Sequence, residues 1–280
     1  MLGGGQIARA VAAAVPCQHQ VVTRTHTEVD IVDEAAIART LSEVKADWVV
    51  NAAAYTAVDL AEDRPALAYA VNAAAVDSLV RASAHEGCRL LHLSTDFVFD
   101  GNSNRAYLPT DKPMPLSVYG ASKLGGERHV LGAGPSGIVL RTSWVYATSG
   151  KNFVLTMLRL MRDKDQISVV YDQIGAPTWA ASAAAAIWGL IETAAKGGVY
   201  HWTDLGIASW YDFAVAIQDE ALARGLLSRT IPITPIPSAA YPTRARRPTF
   251  SVLDTSSTRV SIDVPVRHWR HNLRAMLDEL

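Results

Sequence analysis

Short apolar runs of β-prone residues alternate with alanine-rich stretches of helical spacing, and this alternation restricts the fold of the chain more than any other feature. Gln20–Thr23, Trp48–Val50, Leu90–Leu93 and Ile138–Arg141 read as buried strands. Glu34–Val44, Arg64–His85 and Tyr119–Leu131 read as helices between them. Strand–helix units in this order build a parallel sheet, since each crossover returns the chain to the same end and helices must cover both faces. The predicted class is α/β, a doubly wound parallel sheet with a smaller α/β domain. After about residue 147 the order is less regular, with a strand-like Ile167–Tyr171 and a helix-like Ala180–Ala195. Pro and Arg accumulate from Pro232 to Pro248, which suggests an ordered connection, and His268–Leu280 reads as the last helix.

Composition narrows the partners. At 49% hydrophobic and 19% charged, the 280 residues can fill a sizeable core and do not resemble a disordered chain. A formal charge of −1 leaves no basic footprint for nucleic acid or an anionic membrane surface. An anionic ligand therefore needs a local site. Cys17 and Cys88 are too few for a disulfide framework or a Cys-rich zinc site, and a reducing cytoplasm is the simplest setting. Arg9 interrupts the small apolar residues at the start, and no run approaches the roughly 18 apolar residues of a spanning helix, so neither a secretory leader nor a membrane span is expected.

Gly3-Gly4-Gly5-Gln6-Ile7-Ala8 fits G-x-G-x-x-A at the head of a helix running to about Ala14. Such glycines allow a tight turn, and the free N–H groups of the helix N-terminus suit a pyrophosphate. A flexible terminal turn is the plainer reading, because the motif needs a preceding strand and only Met1 and Leu2 precede it. The first strand of a doubly wound sheet is normally central. It looks truncated here, so the expectation is a non-native start or another segment in its slot. After the second strand no acid follows directly, whereas Arg24 and His26 stand where an adenosine 2′-phosphate would lie. That favours NADPH over NADH, although both residues also fit a solvated turn.

Tyr119 and Lys123 are four apart, neighbours on one helical face. A phenol near its reference pKa of about 10 is a poor acid–base group at neutral pH, and a nearby ammonium lowers it. With nine Tyr and six Lys, about 0.2 such spacings arise by chance, so an exposed helix pair is an alternative. The preceding Leu91-His92-Leu93-Ser94-Thr95-Asp96 is an apolar strand ending in hydroxyls and a carboxylate. Ligands of open α/β sheets bind beyond the strands' carboxyl ends, so Ser94 or Thr95 can hydrogen-bond a carbonyl oxygen while Tyr119 donates a proton. A helix cap or turn is the plainer role for these hydroxyls.

The chain resembles the dTDP-4-dehydrorhamnose reductase family of extended short-chain dehydrogenases over nearly its whole length. The resemblance is carried by Asn51-Ala52-Ala53-Ala54-Tyr55-Thr56-Ala57-Val58-Asp59, by Ser94-Thr95-Asp96-Phe97-Val98-Phe99-Asp100-Gly101 and by the Tyr119–Lys123 helix. Arg141-Thr142-Ser143-Trp144-Val145-Tyr146, Asp172-Gln173-Ile174-Gly175-Ala176-Pro177-Thr178 and Arg246-Arg247-Pro248 look like the family's later blocks. It implies NADPH- or NADH-dependent reduction of a dTDP-sugar at C4, with Thr95, Tyr119 and Lys123 catalytic. Gly3, Gly5, Gln6, Ile7, Arg24, His26, Asp30, Asn51, Ala52, Ala53, Tyr55 and Asn72 would join Tyr119 and Lys123 around the cofactor. Thr95, Asp96, Trp144, Gln173 and Arg247 would face the sugar nucleotide, although core packing for Trp144 and a surface ion pair for Arg247 are alternatives. The chain departs from the family's G-x-x-G-x-x-G turn, with Leu2 or Gly3 in the first place and Ala8 in the last. Some members use Mg²⁺, and no ligand cluster fixes it in this sequence. The implied units are 1–147 plus about 179–203 for the dinucleotide and about 148–178 plus 204–280 for the substrate. An epimerase or dehydratase of the same fold, or a non-catalytic binding homologue, remains as the rival reading, and the oligomeric state is open, a homodimer included.

Overall fold

The computed structural model describes residues 1–280. An extended stub, Met1–Gly3, leads into α1 (Gln6–Ala13), followed by α2 (Glu34–Val44), β1 (Trp48–Asn51), α3 (Val58–Asp63) and α4 (Pro65–Tyr69). A π turn at Ala70–Ala74 joins α4 to α5 (Ala75–Glu86), and then come β2 (Arg89–Thr95), α6 (Val118–Gly132) and β3 (Gly137–Thr142). The rest holds β4 (Val145–Tyr146), α7 (Phe153–Asp163), β5 (Ile167–Val170), β6 (Ile174–Gly175), β7 (Thr178–Trp179) and α8 (Ala180–Glu192). β8 (Gly198–His201), β9 (Ala208–Ser209), α9 (Trp210–Ala223), β10 (Ile233–Ile236), α10 (Ser256–Ser261) and α11 (Trp269–Asp278) complete the chain. No helix is long and apolar enough to cross a membrane.

β1, β2, β3 and β8 form one parallel sheet in that order. Alternate residues feed its two faces, as the pleat dictates. Val50, Leu91, Leu93, Ile138 and Leu140 pack with Val11 of α1 and Ala183–Ile187 of α8. Val49, Leu90 and Val139 pack on the other face with Ile37 and Leu41 of α2, Leu79 of α5 and Val130 of α6. A separate core joins α7, α9 and α11 through Val154, Met157, Phe213, Trp269 and Leu273. Helix boundaries follow local chemistry: Asp33, Ser117 and Asn152 accept backbone N–H bonds at the starts of α2, α6 and α7. α5 stops at Gly87 in the left-handed region.

Three expectations are corrected. Gln20–Thr23 forms no strand, and no other segment fills the central slot. Leu2 itself bridges Arg24 on one side and Asn51 on the other, both in parallel. The bonds are Leu2 N–H to Val50 O and Ala52 N–H to Leu2 O, each 2.9 Å, with Gly3 N–H to Arg24 O at 2.8 Å. So short a partner offers Gln20–Thr23 too little ladder to become regular strand. Arg64–His85, read as one helix, is instead interrupted by the π turn, which accommodates the crossing of α6. The chain thus runs outward from Leu2 to Arg24 and then back to β1. The topological switch point, where open α/β sheets bind ligands, lies between Leu2 and β1.

Candidate active site

Gly3 occupies that switch point with φ +116°, and a β-carbon there would stand 2.9 Å from the Ala53 nitrogen. Only a bare backbone fits between the turn and Ala52–Ala53. No side chain caps α1 at Gly5, so its first N–H groups are open to an anion. Gln6 accepts from Asn152 Nδ2 at 2.9 Å, and Ile7 packs on the core beneath. Arg24 stands beside Gly3, partly buried. His26 and Asp30 are exposed and pair with each other at 3.7 Å on the rim. The glycine cradle and the uncapped helix start fit the pyrophosphate of a dinucleotide, while the Arg24 side chain turns back to donate to Thr23 O at 3.3 Å.

The opposite wall is built from hydrogen bonds. Asn51 Oδ1 accepts from Ala53 N–H at 3.1 Å. Asn72, in the π turn, accepts from Tyr55 N–H at 2.9 Å and donates to Tyr55 O at 3.1 Å and Ser122 Oγ at 3.0 Å. One buried amide therefore ties the Tyr55 loop to α6 between Tyr119 and Lys123.

Thr95 ends β2, where its Oγ1 accepts from Phe97 N–H at 3.2 Å and donates to Asp96 Oδ1 at 3.0 Å. Tyr119 lies against Phe97 edge to face, with ring centroids 5.7 Å apart. Burial, helped by the charge of Asp96, pushes the Tyr119 phenol up to about 12, and the Thr95 hydroxyl opposes this. The expected lowering by Lys123 is absent. Lys123 turns toward β2, donating to Leu93 O at 2.6 Å and meeting His92 Nε2 at 3.1 Å. Burial pushes its amine down to about 8, with Glu127 pulling the other way. Burial also pushes the Asp96 carboxyl up to about 6, against hydrogen bonds from Ser251 and Thr95.

A buried ion pair fixes the helix that carries these groups. Arg141 of β3 grips Glu127 of α6 through Nη2–Oε2 at 2.6 Å and Nε–Oε1 at 2.8 Å. Ser94 of β2 donates to the same carboxylate at 2.5 Å. Bidentate pairing with a hydroxyl in addition satisfies charges that would otherwise be costly to bury. Two glycines allow close backbone approach: β-carbons at Gly120 and Gly126 would overlap the carbonyl oxygens of Phe97 and Asn72.

Thr95, Asp96, Tyr119 and Lys123 therefore converge, with Asn51 and Asn72 adjoining. The other residues expected to face the substrate make their contacts elsewhere. Trp144, at φ +49°, stacks on Trp210 with centroids 3.5 Å apart. Gln173 donates to Ser238 Oγ at 2.9 Å. Arg247 is not a buried cation but pairs with Asp59 of α3 at 2.8 Å, half-exposed. A depression of about 420 Å³ lined by Tyr171, Ile174, Ser209, Tyr211, Asp212 and Pro235 contains none of the convergent groups. Sequence reasoning overlooked His92, Ser122, Glu127 and Arg141. The available signal was polar side chains placed within otherwise apolar strands and on the inner face of α6.

The family model for the RmlD substrate binding domain matches residues 1–280. Among relatives, the chain is 39% identical over 278 residues to a dTDP-4-dehydrorhamnose reductase of Aggregatibacter actinomycetemcomitans, covering 97% of this chain and 95% of the relative. It is 38% identical over 255 residues to that of Escherichia coli K12, covering 90% and 85%. A crystal structure of dTDP-4-dehydrorhamnose reductase from Bacillus anthracis in complex with NADP superposes with TM-score 0.93 at 31% identity, covering 100% of this chain and 98% of the other. The glycine turn, the convergent Thr–Tyr–Lys group and full-length likeness agree: the chain belongs to the dTDP-4-dehydrorhamnose reductase family.

Proposed function

We propose that this chain reduces the C4 keto group of dTDP-4-dehydro-L-rhamnose to dTDP-L-rhamnose, with NADPH as reductant. One observation carries the reading: Thr95, Tyr119 and the buried Lys123 converge at the carboxyl end of β2, in a chain alike over its length to reductases of that name. The reduced nicotinamide, when bound, supplies hydride to C4. Tyr119 donates its O–H to the oxygen at C4. A phenol raised to about 12 stays protonated at neutral pH, which is the state reduction requires. Thr95 Oγ1, now on Asp96, has a proton with which to polarise the same carbonyl. Lys123 holds the nicotinamide ribose from one helical turn away.

Gly3, Gly5, Gln6, Ile7, Asn51–Ala53, Tyr55 and Asn72 form the dinucleotide's bed, and Arg24 receives its 2′-phosphate. Asp96, Trp144, Gln173 and Arg247 serve the sugar nucleotide, for which Arg247 exchanges Asp59 for the diphosphate. Residues 148–178 and 204–280 make up that second unit. The test is the loss of NADPH absorbance on adding dTDP-4-dehydro-L-rhamnose, with stoichiometric formation of dTDP-L-rhamnose. Product formed without net consumption of added NADPH would point instead to an enzyme that recycles a retained cofactor.

A further inference from the structure

His92 sits in the middle of β2 on the face covered by α6, and the mechanism above makes no use of it. His92, Asn51 and Lys123 are 0%, 1% and 2% exposed, so their hydrogen bonds must be made with one another or with neighbouring backbone. The orientation of the Asn51 amide is set by Ala53 N–H, which donates to its Oδ1 at 3.1 Å. Its Nδ2 therefore faces His92 Nδ1, at 3.0 Å, and that ring nitrogen accepts. A neutral imidazole with an accepting Nδ1 carries its proton on Nε2. That nitrogen lies 3.1 Å from Lys123 Nζ.

An ammonium has three donors and no acceptor, so an Nε2–H aimed at it is a donor facing a donor. Two arrangements avoid the conflict. Lys123 is an uncharged amine that accepts the His92 N–H, or it is an ammonium that donates to Nε2 while the ring proton moves to Nδ1 and disrupts the Asn51–Ala53 bond. Only the first keeps every observed contact.

We propose that His92 is a positioning residue for Lys123: oriented by Asn51, it presents an N–H to the Lys123 nitrogen and so favours the uncharged amine over the ammonium. The charges around Lys123 do not account for this bias. Glu127, one turn further along α6, favours the ammonium, but its own charge is held by Arg141 of β3. Tyr119, one turn back, is protonated, and Asp96 acts on Tyr119 rather than on the amine. His92 itself stays neutral, because burial opposes a second ring proton whether or not Lys123 is charged, and a charged Lys123 would oppose it further. Added to burial, which already pushes the amine down to about 8, the contact gives a lysine whose charge is lost as pH rises only moderately above neutral, where an ordinary lysine would keep it.

The inference has a readout independent of the proposed activity and one that rests on it. In protein labelled with ¹⁵N-histidine, NMR at about pH 9 should show His92 neutral with its proton on Nε2. A ring protonated on Nδ1, or on both nitrogens, overturns the proposal even if the chain is no reductase. On the proposed reading the Lys123 ammonium holds the nicotinamide ribose, and it loses its charge well before Tyr119 does, so it sets the alkaline limb of the pH–rate profile for NADPH-dependent reduction. His92→Gln should move that limb up by about one pH unit. A Gln amide can turn its oxygen toward the ammonium, and a tenfold preference for one charge state is one unit of pKa. An unchanged limb in a folded, active His92→Gln protein also overturns the proposal.

Discussion

Gly126→Ala would test whether the crossing of α6 over the π turn positions the catalytic helix. In an ordinary helix this substitution stabilises by about 1 kcal/mol, because glycine is the more flexible residue in the unfolded chain. Here the new methyl would fall on the Asn72 carbonyl oxygen, well inside the 3.0 Å that β-carbons almost never cross, and the obstacle is backbone rather than a movable side-chain end. Overpacking of this kind typically costs about 1–3 kcal/mol, and an unyielding backbone obstacle belongs toward the upper end. The net expectation is a loss of about 1–2 kcal/mol, or roughly 3–6 °C in melting temperature for a chain of this size. α6 must also lift from Asn72, moving Tyr119 and Lys123 away from Thr95, so kcat should fall by about tenfold or more. Gly132→Ala, at the end of the same helix with nothing within 4 Å of the new carbon, is the control and should leave stability equal or improved. Thermal melts and NADPH-oxidation kinetics on both variants decide the matter. A Gly126→Ala protein as stable and as active as Gly132→Ala would refute the argument from close approach.

Three further outcomes are expected. Tyr119→Phe should lower kcat by about 10²–10⁴ while leaving the melting temperature nearly unchanged, since the ring keeps its contact with Phe97; near-normal turnover would remove Tyr119 as the acid. Arg24→Ala should weaken NADPH more than NADH by titration, with His26→Ala showing less discrimination because its side chain is exposed; equal losses for both cofactors at Arg24 would reject the 2′-phosphate role. Glu220, gripped by Arg270 and Arg274, is held down to about 2, so it stabilises the fold above the ordinary carboxylate range and that contribution disappears as pH falls from about 4.5 to about 2. Glu220→Gln should therefore be less stable than the parent at pH 7 by about 1 kcal/mol, a figure discounted for the exposed arginines, and the gap should close in acid; a gap independent of pH would show that the charge is not its source.

Where a signal lay within a few neighbouring residues, the sequence conveyed the structure well. Glu34–Val44 was recognisable as α2 because its helical spacing and good helix formers are local, and the β2–α6 unit because an apolar strand ends in hydroxyls before a stretch of helical spacing. Features that depend on distant partners were not legible. Gln20–Thr23 has strand-like residues, but whether they form a ladder depends on Met1–Gly3. The break at Ala70–Ala74 follows from the approach of Gly126, and nothing within the 64–85 window marks it. At the site, spacing placed Tyr119 and Lys123 on one face without revealing that Lys123 turns to Leu93 and His92. The Glu127–Arg141 pair joins a helix to the strand after it, and His92 within Leu91–Leu93 reads as an oddity until its partners on β1 and α6 are in place. The Arg247–Asp59 pair joins residues 188 apart in the sequence, so the motif around Arg246–Pro248 could not disclose it.

The burial of Lys123 has a practical consequence for handling the protein. Lys45, Lys112, Lys151, Lys164 and Lys196 are all exposed, whereas Lys123 is enclosed beneath Tyr119 with its nitrogen engaged by Leu93 and His92. Amine-directed chemistry, such as succinimidyl dyes, biotin tags or glutaraldehyde coupling to a solid support, should therefore modify the surface lysines while sparing the one amine at the active site, so that the protein can be labelled or immobilised through its lysines without being inactivated at Lys123.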